Sequence, residues 1–91
     1  MDYTNQFKKD VFNLKKAGKN LSLLNDAIIL LAQTGTLPSE YRPHKLHGAY
    51  AHHWEAHIGG IKSDWVIVWQ KRDDILTLIL TNTGTHSKIF G

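Results

Sequence analysis

The apolar positions of this chain change period near its middle, and the change divides it into a helical half and a strand half. Tyr3, Phe7, Val11 and Leu14 recur three and four residues apart, the spacing of one helix face. Thr4 stands where an N-cap belongs and Gly18 where a C-terminal stop belongs, while Lys8, Lys15 and Lys19 fall on the opposite face. A second helical pattern follows Asn20 through Leu24, Ala27, Ile28 and Leu31 and stops at Gly35. The link at Gly18 and Lys19 is so short that the two helices are expected to form an antiparallel hairpin.

Leu37-Pro38-Ser39 and Arg42-Pro43 break the helical period and predict a loop over residues 36–43. Beyond it the period falls to two. Residues 50–58 place Tyr50, His52, Trp54, Ala56 and Ile58 on one side and Ala51, His53, Glu55 and His57 on the other. Gly59-Gly60 then turns the chain. Residues 64–70 and 75–81 are rich in β-branched and aromatic side chains, with a charged turn over 71–74 between them. Trp65 and Trp69 share a strand face and are expected in the core. These patterns predict one α+β domain over residues 1–91, with two N-terminal helices packed on one face of a small twisted, mainly antiparallel sheet.

Composition narrows the function classes. Ninety-one residues support a single modest core. Eleven Lys and Arg against eight Asp and Glu give a net charge of +3 and make an anionic partner plausible. The absence of cysteine excludes disulfides, Cys-ligated zinc and thiol catalysis. The longest apolar run is six residues, 27–32, against about 20 needed to span a bilayer. The N-terminal pattern is not that of a signal peptide, so a cytoplasmic protein without membrane contact is expected.

The remaining polar signal is histidine. RNA is cut without metal when one group takes the 2'-hydroxyl proton and another protonates the leaving 5'-oxygen, and imidazole serves in either role near neutral pH. His86, His44, His57 and Asp64 are the candidates for proton transfer, and His86 stands out because Gly84 is expected to turn the chain just before it. Arg42, Lys45, Lys62 and Lys88 lie near these groups in sequence and are candidates to hold phosphate. Phe90 is expected to cap the core or to stack on a base. His47, His52 and His53 are read as bystanders. A metal site is not expected: on a strand His53 and His57 stand roughly 13 Å apart, too far to share an ion.

The order of fragments is specific. Two helices, then Pro-His-Lys-Leu-His-Gly (43–48), Glu-Ala-His-Ile (55–58), Asp-Trp-Val-Ile-Val-Trp (64–69) and Thr-Gly-Thr-His-Ser-Lys-Ile-Phe (83–90) resemble the YafQ-type branch of the RelE/ParE toxin superfamily over nearly the whole chain. The resemblance implies a type II toxin that cuts mRNA in the ribosomal A site, leaves a 2',3'-cyclic phosphate and a 5'-hydroxyl, and needs no metal or other cofactor. Its implied partners are an antitoxin, the ribosome and mRNA, with operator DNA bound through the antitoxin. His86 resembles the family's general acid, His44, His57 and Asp64 its other acid–base and orienting positions, and Phe90 its substrate-supporting aromatic. Two positions depart from the pattern. Asn82 stands where the family carries a phosphate-binding arginine, and the connection at 59–63 is longer. A ParE-like topoisomerase-inhibiting toxin, or a weakened toxin that keeps only antitoxin binding, are the alternative expectations.

Overall fold

The computed structural model describes residues 2–60, 63–72 and 77–90. Helix α1 (Asn5–Lys16) begins at Thr4, whose hydroxyl accepts from the Phe7 amide and donates to the Thr81 carbonyl at 2.8 Å. One side chain thus caps the helix and ties it to the sheet. Helix α2 (Leu21–Thr34) is capped by the Asn20 side chain and ends at Gly35, where φ of 76° favours glycine. The Thr4 cap and the Gly35 stop match the sequence expectation.

Among the described residues five strands follow or flank the helices: β1 (Asp2–Tyr3), β2 (His44–Lys45), β3 (His53–His57), β4 (Trp65–Arg72) and β5 (Thr77–Thr85). They form one sheet in the order β1-β5-β4-β3-β2, antiparallel except for the parallel β1–β5 pair. A short helix, α3 (His86–Phe90), closes the described chain. Phe7, Leu14, Leu24, Ala27 and Leu31 of the helices cluster with Ala56, Ile58, Trp65, Ile67, Trp69 and Leu80 of the sheet. The two helices therefore cover one sheet face, as the α+β reading expects, and both tryptophans are core. Trp65 needs a partner for its indole N–H and finds it in the Thr83 hydroxyl at 3.0 Å, which itself donates to the Val66 carbonyl.

The strand boundaries correct the sequence reading in three places. The expected strand over 50–58 shortens to β3, because His52 takes a left-handed φ of 69° and Tyr50 belongs to a 3-10 turn, Gly48–Tyr50. Alternation cannot continue through that kink. β5 runs to Thr85, so Gly84 is a strand residue paired with Val66, not a turn before His86. β1 and β2 were invisible to periodicity, since two residues carry no alternation. Lys71 and Arg72 end β4, while Lys62 and residues 73–76 lie outside the described residues. Among the described residues no helix is long and apolar enough to cross a membrane.

Candidate active site

Strand pairing assembles the site on the sheet face turned away from α1 and α2. Directly opposed residues of antiparallel neighbours share a face. The pairs His44↔Glu55, Glu55↔Val68 and Val68↔Asn82 thus form one row across four strands. His57, Val66 and Gly84 make the next row. A register shift at Val68/Trp69 leaves Thr81 as the extra residue, with its hydroxyl donating to the Val68 carbonyl. That bulge keeps Asn82 on the Glu55 face while Leu80 stays in the core.

Glu55 is the centre of this face. It is 1 % exposed, and its carboxylate lies between two imidazoles: Oε1 is 3.4 Å from His44 Nε2 and Oε2 is 3.5 Å from His86 Nε2. Both histidine side chains are more than half exposed, so a buried anion supports two rings whose other edges meet solvent. Among the described residues Glu55 Oε2 has no hydrogen-bond partner. A buried carboxylate oxygen that faces an imidazole without a formed hydrogen bond costs stability, which points to a role outside folding.

Each ring is also oriented from its far side. His44 Nδ1 lies 3.2 Å from the Arg42 carbonyl, and His57 Nδ1 lies 3.0 Å from the Ser63 carbonyl. A carbonyl only accepts, so each Nδ1 bears the hydrogen. His86 opens α3, where its amide donates to the Asp64 carbonyl at 2.9 Å and the Lys88 amide is capped by the Thr85 hydroxyl. Phe90, four residues on, packs against the His86 ring with centroids 4.8 Å apart and planes tilted by 45°.

The expected site residues do not all converge. His44 and His86 meet at Glu55, and His57 joins His44 and Arg42 around a cleft of about 640 Å³. Asp64 is exposed and is linked to His86 through its backbone carbonyl. Asn82 and Lys88 line a separate cleft with Gln6, Asp10, Thr83 and Ile89. Lys45 pairs with Trp54 on the helix-bearing face, its ammonium 5.7 Å from the indole. Sequence reasoning missed Glu55. Alternation placed Glu55 beside His53 and His57, but nothing local marks a carboxylate that meets its partners eleven and thirty-one positions away.

A profile of the family described as "Bacterial toxin of type II toxin-antitoxin system, YafQ" matches residues 1–91. The mRNA interferase toxin YafQ of Escherichia coli K12 is 32% identical over 92 residues, covering 100% of this chain and 95% of the relative. Among solved structures, the E. coli DinJ-YafQ complex matches with a TM-score of 0.86 and 31% identity, covering 99% of this chain and 96% of that one. A metal-bound toxin from Helicobacter pylori matches with a TM-score of 0.83 and 32% identity, covering 98% and 96%. Full-length kinship and shared fold agree with the histidine-bearing face: this chain belongs to the YafQ family of bacterial toxins of type II toxin–antitoxin systems.

Proposed function

We propose that this chain is a ribosome-dependent mRNA endoribonuclease, the toxin of its pair, which cuts mRNA in the A site by acid–base chemistry. The observation that carries this reading is the Glu55 carboxylate between His44 and His86. A buried anion that holds two exposed imidazoles at one edge is an arrangement for moving protons. The mRNA interferase activity named for the E. coli relative supports RNA as the substrate.

Cleavage begins when the 2'-hydroxyl loses its proton and its oxygen bonds to phosphorus. The bond from phosphorus to the 5'-oxygen then breaks, and that oxygen takes a proton, giving a 2',3'-cyclic phosphate and a 5'-hydroxyl. An ionised carboxylate only accepts hydrogen bonds, so a ring facing ionised Glu55 presents N–H to it. His86 is the general acid when both its nitrogens carry hydrogen: Nε2 faces Glu55, and the proton given to the leaving 5'-oxygen comes from Nδ1 on the solvent-facing edge. His44 donates from Nδ1 to the Arg42 carbonyl and turns Nε2 toward Glu55, so its ring is held at the edge of the cleft that Arg42 also lines. It serves with Arg42 to balance charge building on the phosphate. Asp64 is then the group that takes the 2'-hydroxyl proton, one backbone hydrogen bond from His86. His57 orients the substrate from the neighbouring cleft, and Phe90 supports the base.

The H. pylori relative is metal-bound. Among the described residues here, no group of three His, Asp or Glu side chains is arranged to hold an ion. DinJ in the relative's complex supports a cognate antitoxin as partner. In this reading the cognate antitoxin of this chain covers the edge that bears His86 and Lys88, blocking the site by occupation, and carries the operator-DNA contact. The neutral Asn82 favours one second reading, a weakened toxin that chiefly binds its antitoxin.

The test is a reporter mRNA in a translation extract with mapped 5' ends. Cuts within A-site codons, bearing 5'-hydroxyls and lost in His86→Ala, are expected. An intact reporter, or cuts that persist in His86→Ala, would overturn the reading.

A further inference from the structure

The helix that carries His86 is too short to hold itself. α3 has five residues and no buried side chain, and isolated helices far longer than this are marginal in water. Its first turn is fastened by the Asp64 carbonyl and the Thr85 hydroxyl. Its other end depends on Phe90, and the described aromatic partner of Phe90 outside α3 is Tyr50. The two rings meet edge to face, with centroids 4.8 Å apart and planes at 75°.

Tyr50 is itself well placed to act as an anchor. It ends the 3-10 turn Gly48–Tyr50, which Gly48 enters at φ of 67° and the Ala51 amide closes onto the Gly48 carbonyl at 3.0 Å. On its other side the His53 ring lies 5.6 Å away, also edge to face. His53 is fixed in turn by its Nδ1, 3.0 Å from the Ala51 carbonyl. Four rings, His53, Tyr50, Phe90 and His86, thus run from the first residue of β3 to the first residue of α3. They join the strand that carries Glu55 to the helix that carries its partner.

We propose that Tyr50 is a positioning residue: its ring clamps Phe90, and through Phe90 it holds the His86 imidazole at the Glu55 carboxylate. The catalytic consequence rests on the acid role of His86, whereas the structural consequence does not. Only the ring edge is used, so the phenol hydroxyl is dispensable.

The experiment compares Tyr50→Ala, Tyr50→Leu and Tyr50→Phe by NMR on the free toxin and by single-turnover cleavage on programmed ribosomes. In Tyr50→Ala the backbone order parameters of residues 86–90 should fall from about 0.85 toward about 0.6, while those of β4 stay high. The ring-current shift of His86 should collapse with them. The cleavage rate at saturation should drop roughly tenfold with half-saturation within about twofold, the pattern of a misplaced catalytic group. Tyr50→Phe should match wild type in both measurements. Should the alanine variant loosen β4 as well, Tyr50→Leu, which keeps bulk without an aromatic edge, carries the same comparison. Unchanged order in α3 would overturn the proposal whatever the activity. So would weakened ribosome affinity at an unchanged rate, which marks a base-stacking ring, or a Tyr50→Phe variant as slow as alanine, which marks a working hydroxyl. A wild-type protein that cuts nothing while α3 still loosens in Tyr50→Ala would count against the nuclease reading alone.

Discussion

His86 Nε2 lies 3.5 Å from Glu55 Oε2, and that oxygen is buried without a hydrogen bond among the described residues. The pair joins a helix N-terminus to the middle of a strand thirty-one positions earlier. The Glu55 carboxylate contributes little to folding for its burial, since it is desolvated while both rings it faces are more than half exposed and screened by water.

Glu55→Gln should therefore separate stability from activity. The amide keeps the volume and removes the buried charge, so the melting temperature should stay level or rise. Single-turnover cleavage should fall by about tenfold or more, because neither imidazole then faces an anion. A variant that melts early and cuts normally would reassign Glu55 to the core.

His86→Gln should lower cleavage by on the order of 10² or more, the range for loss of a general acid, with melting unchanged. The control is His52→Asn. His52 is exposed and held at φ of 69°, a conformation asparagine accepts readily, so this change should be nearly silent. Equal losses in both variants would point to a fold effect.

Asn82 shares a row with Glu55 and a cleft with Lys88. A guanidinium there adds charge-assisted hydrogen bonds to phosphate, so Asn82→Arg should raise single-turnover cleavage several-fold. Arg42→Ala and Lys88→Ala should lower it. Three flat results would assign charge stabilisation to the ribosome.

Cleavage should survive exhaustive chelation of the purified toxin before it is added to magnesium-containing ribosomes. Elemental analysis checks the premise. Stoichiometric transition metal retained through chelation, with activity lost when it is stripped, would replace the metal-free scheme.

Tyr41 provides a stability prediction remote from the site. Burial lifts its phenol above the ordinary value of 10.0, and Glu40 and Asp26 add to the rise. The fold thus favours the neutral phenol. That contribution is complete below the unfolded value near 10 and is lost as pH climbs above it. Thermal melts from pH 8 to 11 should show a steeper alkaline decline for wild type than for Tyr41→Phe. Parallel curves would show that the phenol is equally easy to ionise in both states.

Much of this protein is local, and the sequence by itself determined that part. Thr4 and Asn20 cap the helices because a hydroxyl or amide two or three residues upstream reaches the free amides wherever the helix packs. Trp65, Ile67 and Trp69 repeat every second residue, so a strand there buries them together. The motif order carried the family for the same reason, each fragment being contiguous. Tertiary structure alone decided the site. The kink at His52 ended an alternation that looked unbroken, the bulge at Thr81 set which face Asn82 shares, and cross-strand pairing brought His44 to Glu55. Periodicity reports which neighbours in sequence share a face. It holds no record of which carboxylate the sheet register will place under which imidazole, because register is fixed by burial of the whole opposite face.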